Sequence, residues 1–381
     1  MLTYLLFGGK QLILRMACAA MVAFLIVALL SPRMIRFLIR KKLGDRPEFH
    51  HADLNELTRH KSATPTMGGI LIVVAIFVSA VLFADIGPRS MYIRMALLVL
   101  VWLGLLGGVD DGFKLAHPPA ATARGPAASD RHERGGLRTW QKIIFQIALA
   151  VVLAVFIYSH GRTSGHIDYE GRAINAAHSF YFPFKAEPIA LSLLAYVIIT
   201  SVVMVGSSNA VNLTDGMDGL AGGCMVTVSG VFLLLSWVAG NRALANLFHL
   251  PFVPAASELT VICAAMIGSC LGFLWYNCLP AQVFMGDTGS LPLGGLIGYI
   301  AVVTRHELVL FIAGGVLVME ALSVLIQVAY FKATGGRRVF RCAPIHHHFH
   351  LMGWAESKVV VRFWLLGLMF AAVALATLKL R

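Results

Sequence analysis

The sequence predicts an all-α polytopic membrane protein of about ten transmembrane helices. Three observations point there. Hydrophobic residues make up 58% of the 381-residue chain and charged residues 13%, against about 25% charged in a soluble domain. So few charges cannot cover a water-facing surface, and lipid must be the solvent for much of the chain. The apolar residues come in repeated runs, each close to the roughly 20 residues that a spanning helix needs. The runs lack the short alternating pattern of a membrane β-barrel, and open sheet edges do not survive in hydrocarbon.

In chain order the runs place spans near 12–32, 67–84, 92–109, 142–158, 188–205, 219–239, 258–276, 290–304, 308–331 and 359–378. Lys10 and Arg15 precede the first run as they would in a secretory signal. Arg33, Arg36, Arg40, Lys41 and Lys42 follow it, so it reads as a retained span. The eighth run is short and Gly-rich, and its limits are the least defined. Ten spans leave two families of loops. The family 33–66, 110–141, 206–218, 277–289 and 332–358, with Lys142 and Arg362 at helix edges, carries 20 of the 31 lysines and arginines. The positive-inside rule assigns this family to the cytoplasm and both termini to the outside. The net charge of +12 is therefore mostly topological, and nucleic-acid binding loses its main support.

The chain reads as a single domain over 1–381. Segment 115–136 is Pro/Ala/Gly-rich and is expected to be a mobile insertion in a cytoplasmic loop. The outer loop 159–187 is the longest on its face, with room for a hairpin around Tyr169–Arg172. No inverted repeat of the transporter kind is visible. The six cysteines form no C-x-x-C pair and mostly sit in apolar runs, as small core hydrophobes do.

The unusual polar residues sort onto the cytoplasmic face. They are Lys61 to Thr66, Asp110-Asp111 with Lys114, Asn209 to Asp218, Asn277 with Phe284 to Ser290, and the histidine run His346-His347-His348 with His350. Residues with no common purpose would not gather from five separate loops. Asp110, Asp111, Asp215, Asp218 and Asp287 lie at span ends beside glycines. Acids at membrane depth are costly without a partner or a task. Oxygen ligands at about 2.0–2.1 Å suit Mg²⁺, which commonly bridges carboxylates and substrate phosphates. For Asp110–Asp111 taken alone, a solvated helix end is an equal account; the further acids on the same face weigh against it. Lys61, Lys114 and Lys142 suit phosphate contacts as point charges, although topology by itself would also place lysines there. The histidine run is open to metal binding, to contact with a phosphorylated substrate or proton transfer, or to a solvated loop. Gly216, Gly219, Gly286 and Gly289 permit tight turns close to a ligand. Glu320, mid-span with Gln327 two turns on, is expected to be a protonated or hydrogen-bonded brace between helices, since the apolar runs hold no cationic partner.

Four motifs carry a resemblance: Asp110-Asp111-x-x-Lys114, Asn209-x-x-Asn212-x-x-Asp215-Gly-x-Asp218-Gly-Leu, Phe284-Met-Gly-Asp287-Thr-Gly-Ser and Pro344-Ile-His346-His347-His348-Phe. Together they resemble the polyprenyl-phosphate N-acetylhexosamine-1-phosphate transferase superfamily. The triple-His motif points to its MraY branch, the phospho-N-acetylmuramoyl-pentapeptide-transferases, over nearly the whole chain. The resemblance implies transfer of phospho-N-acetylmuramoyl-pentapeptide from its UDP donor to undecaprenyl phosphate, giving lipid I and UMP. It implies Mg²⁺, a homodimer, the bacterial inner membrane, and a cytoplasmic cleft open to lipid. It also implies residue roles. Asp287 is the metal ligand, and Asp110 and Asp111 flank the reacting phosphate. Lys61, Asp218, Asn277 and Phe284 hold the nucleotide, while Asn212, Asp215, His346 and His347 line the adjoining cleft. Thr66, Lys114, Lys142 and His348 complete the expected substrate-binding set. Two departures stand out: His350 where the family commonly has Glu, and the long segment 115–136. Covalent catalysis by an aspartate and direct attack by the lipid phosphate are both open, with direct attack preferred. A sister enzyme acting on UDP-N-acetylglucosamine is the nearest alternative, and the triple-His argues against it. A divalent-metal transporter would need ionisable residues along several spans, and few are there.

Overall fold

The computed structural model describes residues 11–41, 64–87, 90–116, 136–164, 175–183 and 188–379. Within hydrocarbon every backbone N–H and C=O must be satisfied inside its own segment, so apolar runs become helices. Among the described residues, eight helices are long and apolar enough to cross a membrane, which makes this a multi-pass all-α membrane protein.

The helices in order are α1 (Leu12–Arg40), α2 (Gly69–Phe83), α3 (Met91–Ala116), α4 (Thr139–Ser164), α5 (Leu193–Thr214), α6 (Leu220–Ala239), the short α7 (Arg242–Leu247), α8 (Leu259–Asn277), α9 (Asp287–Thr304), α10 (Glu307–Ala313), α11 (Gly315–Ala333), α12 (Ile345–Leu351) and α13 (Glu356–Ala376). Strands β1 (Ser179–Phe180) and β2 (Ile189–Ala190) pair antiparallel, Ser179 opposite Ala190. The hairpin expected at Tyr169–Arg172 and most of segment 115–136 lie outside the described residues.

α9 is the axis of the fold. All of its residues are buried, and it packs against α3, α5, α6 and α2. Its glycines explain how so many neighbours fit. A Cβ at Gly294 would stand 2.4 Å from the Ser207 carbonyl oxygen, and one at Gly295 would stand 2.1 Å from Leu103. Without side chains at these points the helices approach closely, which in lipid supplies packing energy that water would not. Around this axis α1 packs on α8, α8 on α6, and α4 on α5.

Three sequence expectations are corrected. α3 and α5 keep their i→i−4 hydrogen bonds past the apolar stretch, so Asp110, Asp111, Lys114, Asn209 and Asn212 stand on helices rather than in loops. The span expected over 308–331 is two helices, α10 and α11, broken at Gly314. Glycine is a weak helix former, and the ring of Phe370 fills the space a Cβ at Gly315 would take, 2.6 Å away. The histidine run is itself a helix, α12.

Candidate active site

The site is built at the N-terminus of α9. The chain arrives there through a short backbone pairing: Phe284 N–H donates to Pro65 O (2.8 Å), Gly68 N–H to Phe284 O (2.9 Å) and Gly69 N–H to Met285 O (2.9 Å). Gly286 then adopts φ +72, a left-handed conformation that suits glycine. Asp111, from α3, receives the start of α9. Its Oδ1 accepts from Asp287 N–H (3.2 Å), and its Oδ2 accepts from Thr288 N–H (2.9 Å) and Thr288 Oγ1 (2.7 Å). A carboxylate satisfying free N–H groups at a helix N-terminus is favourable in both hydrogen bonding and charge. Gly107, one turn before Asp111, allows the close approach: a Cβ there would lie 2.2 Å from Asp287 O.

One oxygen from each of Asp110, Asp111 and Asp287 lies within 4.8 Å of the others. Two lysines face them. Lys114 Nζ is 2.8 Å from Asp110 Oδ2 and 3.2 Å from Asp287 Oδ1. Lys142 Nζ, from α4, is 3.2 Å from Asp110 Oδ2 and 2.9 Å from Asp287 Oδ2. Asn212 donates through Nδ2 to Asp287 Oδ1 (2.8 Å) and Ser290 Oγ (2.9 Å). Asp110 Oδ1 accepts from Leu137 N–H (2.8 Å). Asp215 lies beside the Gly286 backbone. Desolvation first, then the charges of Asp287 and Asp111, push its carboxyl well above the usual carboxylate range, while the Gly286 backbone works against them. Thr66 is buried nearby; a Cβ on Gly286 would stand 3.0 Å from its hydroxyl.

A second group adjoins. Asp218 Oδ2 accepts from Ala281 N–H (2.9 Å), and Asp218 N–H donates to Glu356 Oε1 (2.9 Å). Asn277 accepts from Gly219 N–H (3.0 Å) and donates to Val283 O (2.9 Å). Asp218 and Asn277 thus shape the segment leading to Phe284, whose side chain is half-buried. In a third group, His346 Nδ1 lies 2.9 Å from Glu320 Oε2, and His347 stacks at a tilt on His346 with ring centroids 4.1 Å apart. His348 Nδ1 accepts from Arg341 N–H (3.1 Å), which ties it to the preceding loop. Glu320 therefore has a partner after all, supplied by the histidine run rather than by an apolar span. Lys61 lies outside the described residues.

The sequence reading did not single out Thr288 or Glu356. Thr288 falls inside the quoted Asp287-Thr-Gly-Ser motif, and Glu356 stands in the first turn of α13, where acids favour N-termini.

The donor set fits a hard divalent cation. It is all oxygen, from three clustered carboxylates, and two ammonium groups leave the cluster one charge short of neutral. Asp110 and Asp287 point oxygens at the lysines, which a cation could displace, whereas both oxygens of Asp111 are engaged with the start of α9.

Comparison with known proteins places the class first. Residues 93–305 match Glycosyl transferase family 4. Residues 61–73 match signature 1 of phospho-N-acetylmuramoyl-pentapeptide-transferase. A Desulfotalea psychrophila protein named phospho-N-acetylmuramoyl-pentapeptide-transferase is 41% identical over 98% of this chain and 95% of its own length. A Rickettsia bellii protein of the same name is 40% identical over 96% of this chain and 93% of its own. The chain belongs to the phospho-N-acetylmuramoyl-pentapeptide-transferase family.

Proposed function

We propose that this protein transfers phospho-N-acetylmuramoyl-pentapeptide from UDP to undecaprenyl phosphate, forming lipid I and releasing UMP in peptidoglycan synthesis. The observation that carries the reading is the Asp110–Asp111–Asp287 cluster faced by Lys114 and Lys142. Joining two phosphorylated substrates demands cations at one point, and positioning supplies much of the rest.

In the proposed reaction an oxygen of the lipid phosphate attacks the sugar-bearing phosphorus of the donor. The bond from that phosphorus to the bridging oxygen breaks, and the oxygen leaves with UMP. Both substrates are already ionised, so no enzyme nucleophile is required. Lys114 and Lys142 balance the phosphates, Asn212 orients Asp287, and Asp111 holds α9 in place. Asp287, with Asp110 beside it, would hold Mg²⁺, while Asp111 stays engaged with the start of α9; bound there, the ion would offset charge on the diphosphate and on the departing UMP. Lys61, Asp218, Asn277 and Phe284 are proposed for the nucleotide. Thr66, Asp215 and His347 are assigned to the adjoining cleft.

The same reading makes the whole chain one unit of ten spans, adding α2 and α9 to the eight longer apolar helices and taking α10 with α11 as one. Both termini lie outside, in the bacterial inner membrane. Its homodimeric state rests on resemblance. The test is UMP release by purified protein given UDP-N-acetylmuramoyl-pentapeptide, undecaprenyl phosphate and Mg²⁺, with and without EDTA. Lipid-dependent, EDTA-sensitive release supports the reading. Release from UDP-N-acetylglucosamine alone would move the protein to the sister activity.

A further inference from the structure

The reaction as described leaves the buried polar pair of the histidine run unused. Glu320, on α11, and His346, on α12, are both 0% exposed and meet at 2.9 Å. Glu320 Oε1 and His346 Nε2 have no hydrogen-bond partner among the described residues. An ionisable pair shut away from water is expensive unless it performs a task. His346 is enclosed at this position, and a route from it to the reaction runs through its neighbours.

The geometry shows which neighbour. With Glu320 as the carboxylate, Nδ1 carries the proton of this 2.9 Å hydrogen bond, and the contact fixes the ring's orientation. The opposite nitrogen, Nε2, then points at Gly216: a Cβ built there would lie 2.3 Å from it. Gly216 belongs to the turn between α5 and α6, and its other side is exposed. The preceding residue, Asp215, lies beside the backbone of Gly286, which in turn precedes Asp287. A continuous set of contacts therefore runs from a carboxylate inside α11 to the acidic cluster.

We infer that Glu320 is a positioning residue for the transferase site: it locks the His346 ring, and the ring sets the Gly216 turn that carries Asp215 to Gly286. The inference rests on the transferase reading and adds a residue to it. It also separates the members of the histidine run. His348 folds its own loop, and His346 supports the turn from behind.

The experiment compares Glu320→Gln, His346→Asn and the double variant in the UMP-release assay, with thermal unfolding in detergent alongside. Gln keeps the size of Glu but replaces the charged acceptor; Asn keeps a donor in the place of Nδ1 but removes Nε2. The expected result is a kcat loss of about tenfold or more in each single variant, the scale on which removing the partner of a functional histidine acts. KM for the UDP-sugar should stay within about twofold, and the double variant should be no worse than His346→Asn. A nitrogen-15 spectrum of histidine-labelled protein should show a hydrogen-bonded Nδ1 proton that vanishes in His346→Asn and shifts in Glu320→Gln, where a neutral acceptor replaces the charged one. Full kcat in Glu320→Gln, or losses that multiply in the double variant, would overturn the inference. If Glu320→Gln does not fold, Gly216→Ala presses on the same contact from the other side, and unchanged kcat there would overturn it equally. A wild type inactive on both UDP-sugars would instead sink the transferase reading, before any variant is compared.

Discussion

Asp287 stands where three elements meet: it opens α9, faces lysines from α3 and α4, and takes an amide from α5. Asp287→Asn should therefore reduce UMP release by about 10³-fold or more while the protein still folds, since the amide keeps the shape and loses the charge. Thr288→Val removes only the hydroxyl bond to Asp111 (2.7 Å). The expected outcome is a smaller loss in kcat, with stability lowered by about 1 kcal/mol in thermal unfolding. Much at this scale was legible beforehand. The aspartates, Asn212 and Lys114 sit in short motifs whose spacing survives without a structure. Lys142 was harder, because a segment of unusual composition separates it from Lys114. The Glu320–His346 contact was not legible, because periodicity describes a helix by itself and says nothing of which ring lies against it.

At the scale of elements, α3 offers an internal comparison. A Cβ at Gly107 would meet the backbone of Asp287 at 2.2 Å, where nothing can swing aside. Gly107→Ala should push α9 away from α3, costing about 1–3 kcal/mol as overpacking does, and should abolish transfer. Gly112, on the same helix, has nothing within 4 Å of such an atom. Gly112→Ala should leave kcat unchanged and raise stability by up to about 1 kcal/mol, because alanine is the better helix former. Paired melting curves and UMP-release assays check both. The apolar runs announced the helices, but not where they stop. Hydropathy reports where lipid ends; backbone hydrogen bonds continue until a cap or a glycine intervenes. That is why Asp110 and Asp111 proved helical and why Gly314 divides a single apolar run.

For the whole molecule, sidedness is the property to test, and native cysteines serve. Cys278 is exposed and Cys342 half-buried, both within proposed cytoplasmic segments, while Cys224, Cys263 and Cys270 are buried. A membrane-impermeant maleimide should leave Cys278 unmodified in intact cells and label it in inverted vesicles. Labelling from outside would reverse the proposed orientation. Composition alone gave the class of architecture, since 13% charged residues cannot cover a surface in water. The arrangement of the helices was hidden, because lipid-facing and protein-facing residues are both apolar here.

The buried axis has a consequence for how the protein is made. α9 is not among the eight helices apolar enough to cross a membrane by composition, yet every one of its residues is enclosed. Its glycines and its leading aspartate make it a poor passenger for the insertion machinery. Synthesis runs from the N-terminus, so α2, α3, α5 and α6 emerge before it. The ribosome thus delivers the walls of a proteinaceous shelter first and the helix that carries Asp287 afterwards. A chain permuted to release α9 early would ask bare lipid to accept what only those neighbours can hold.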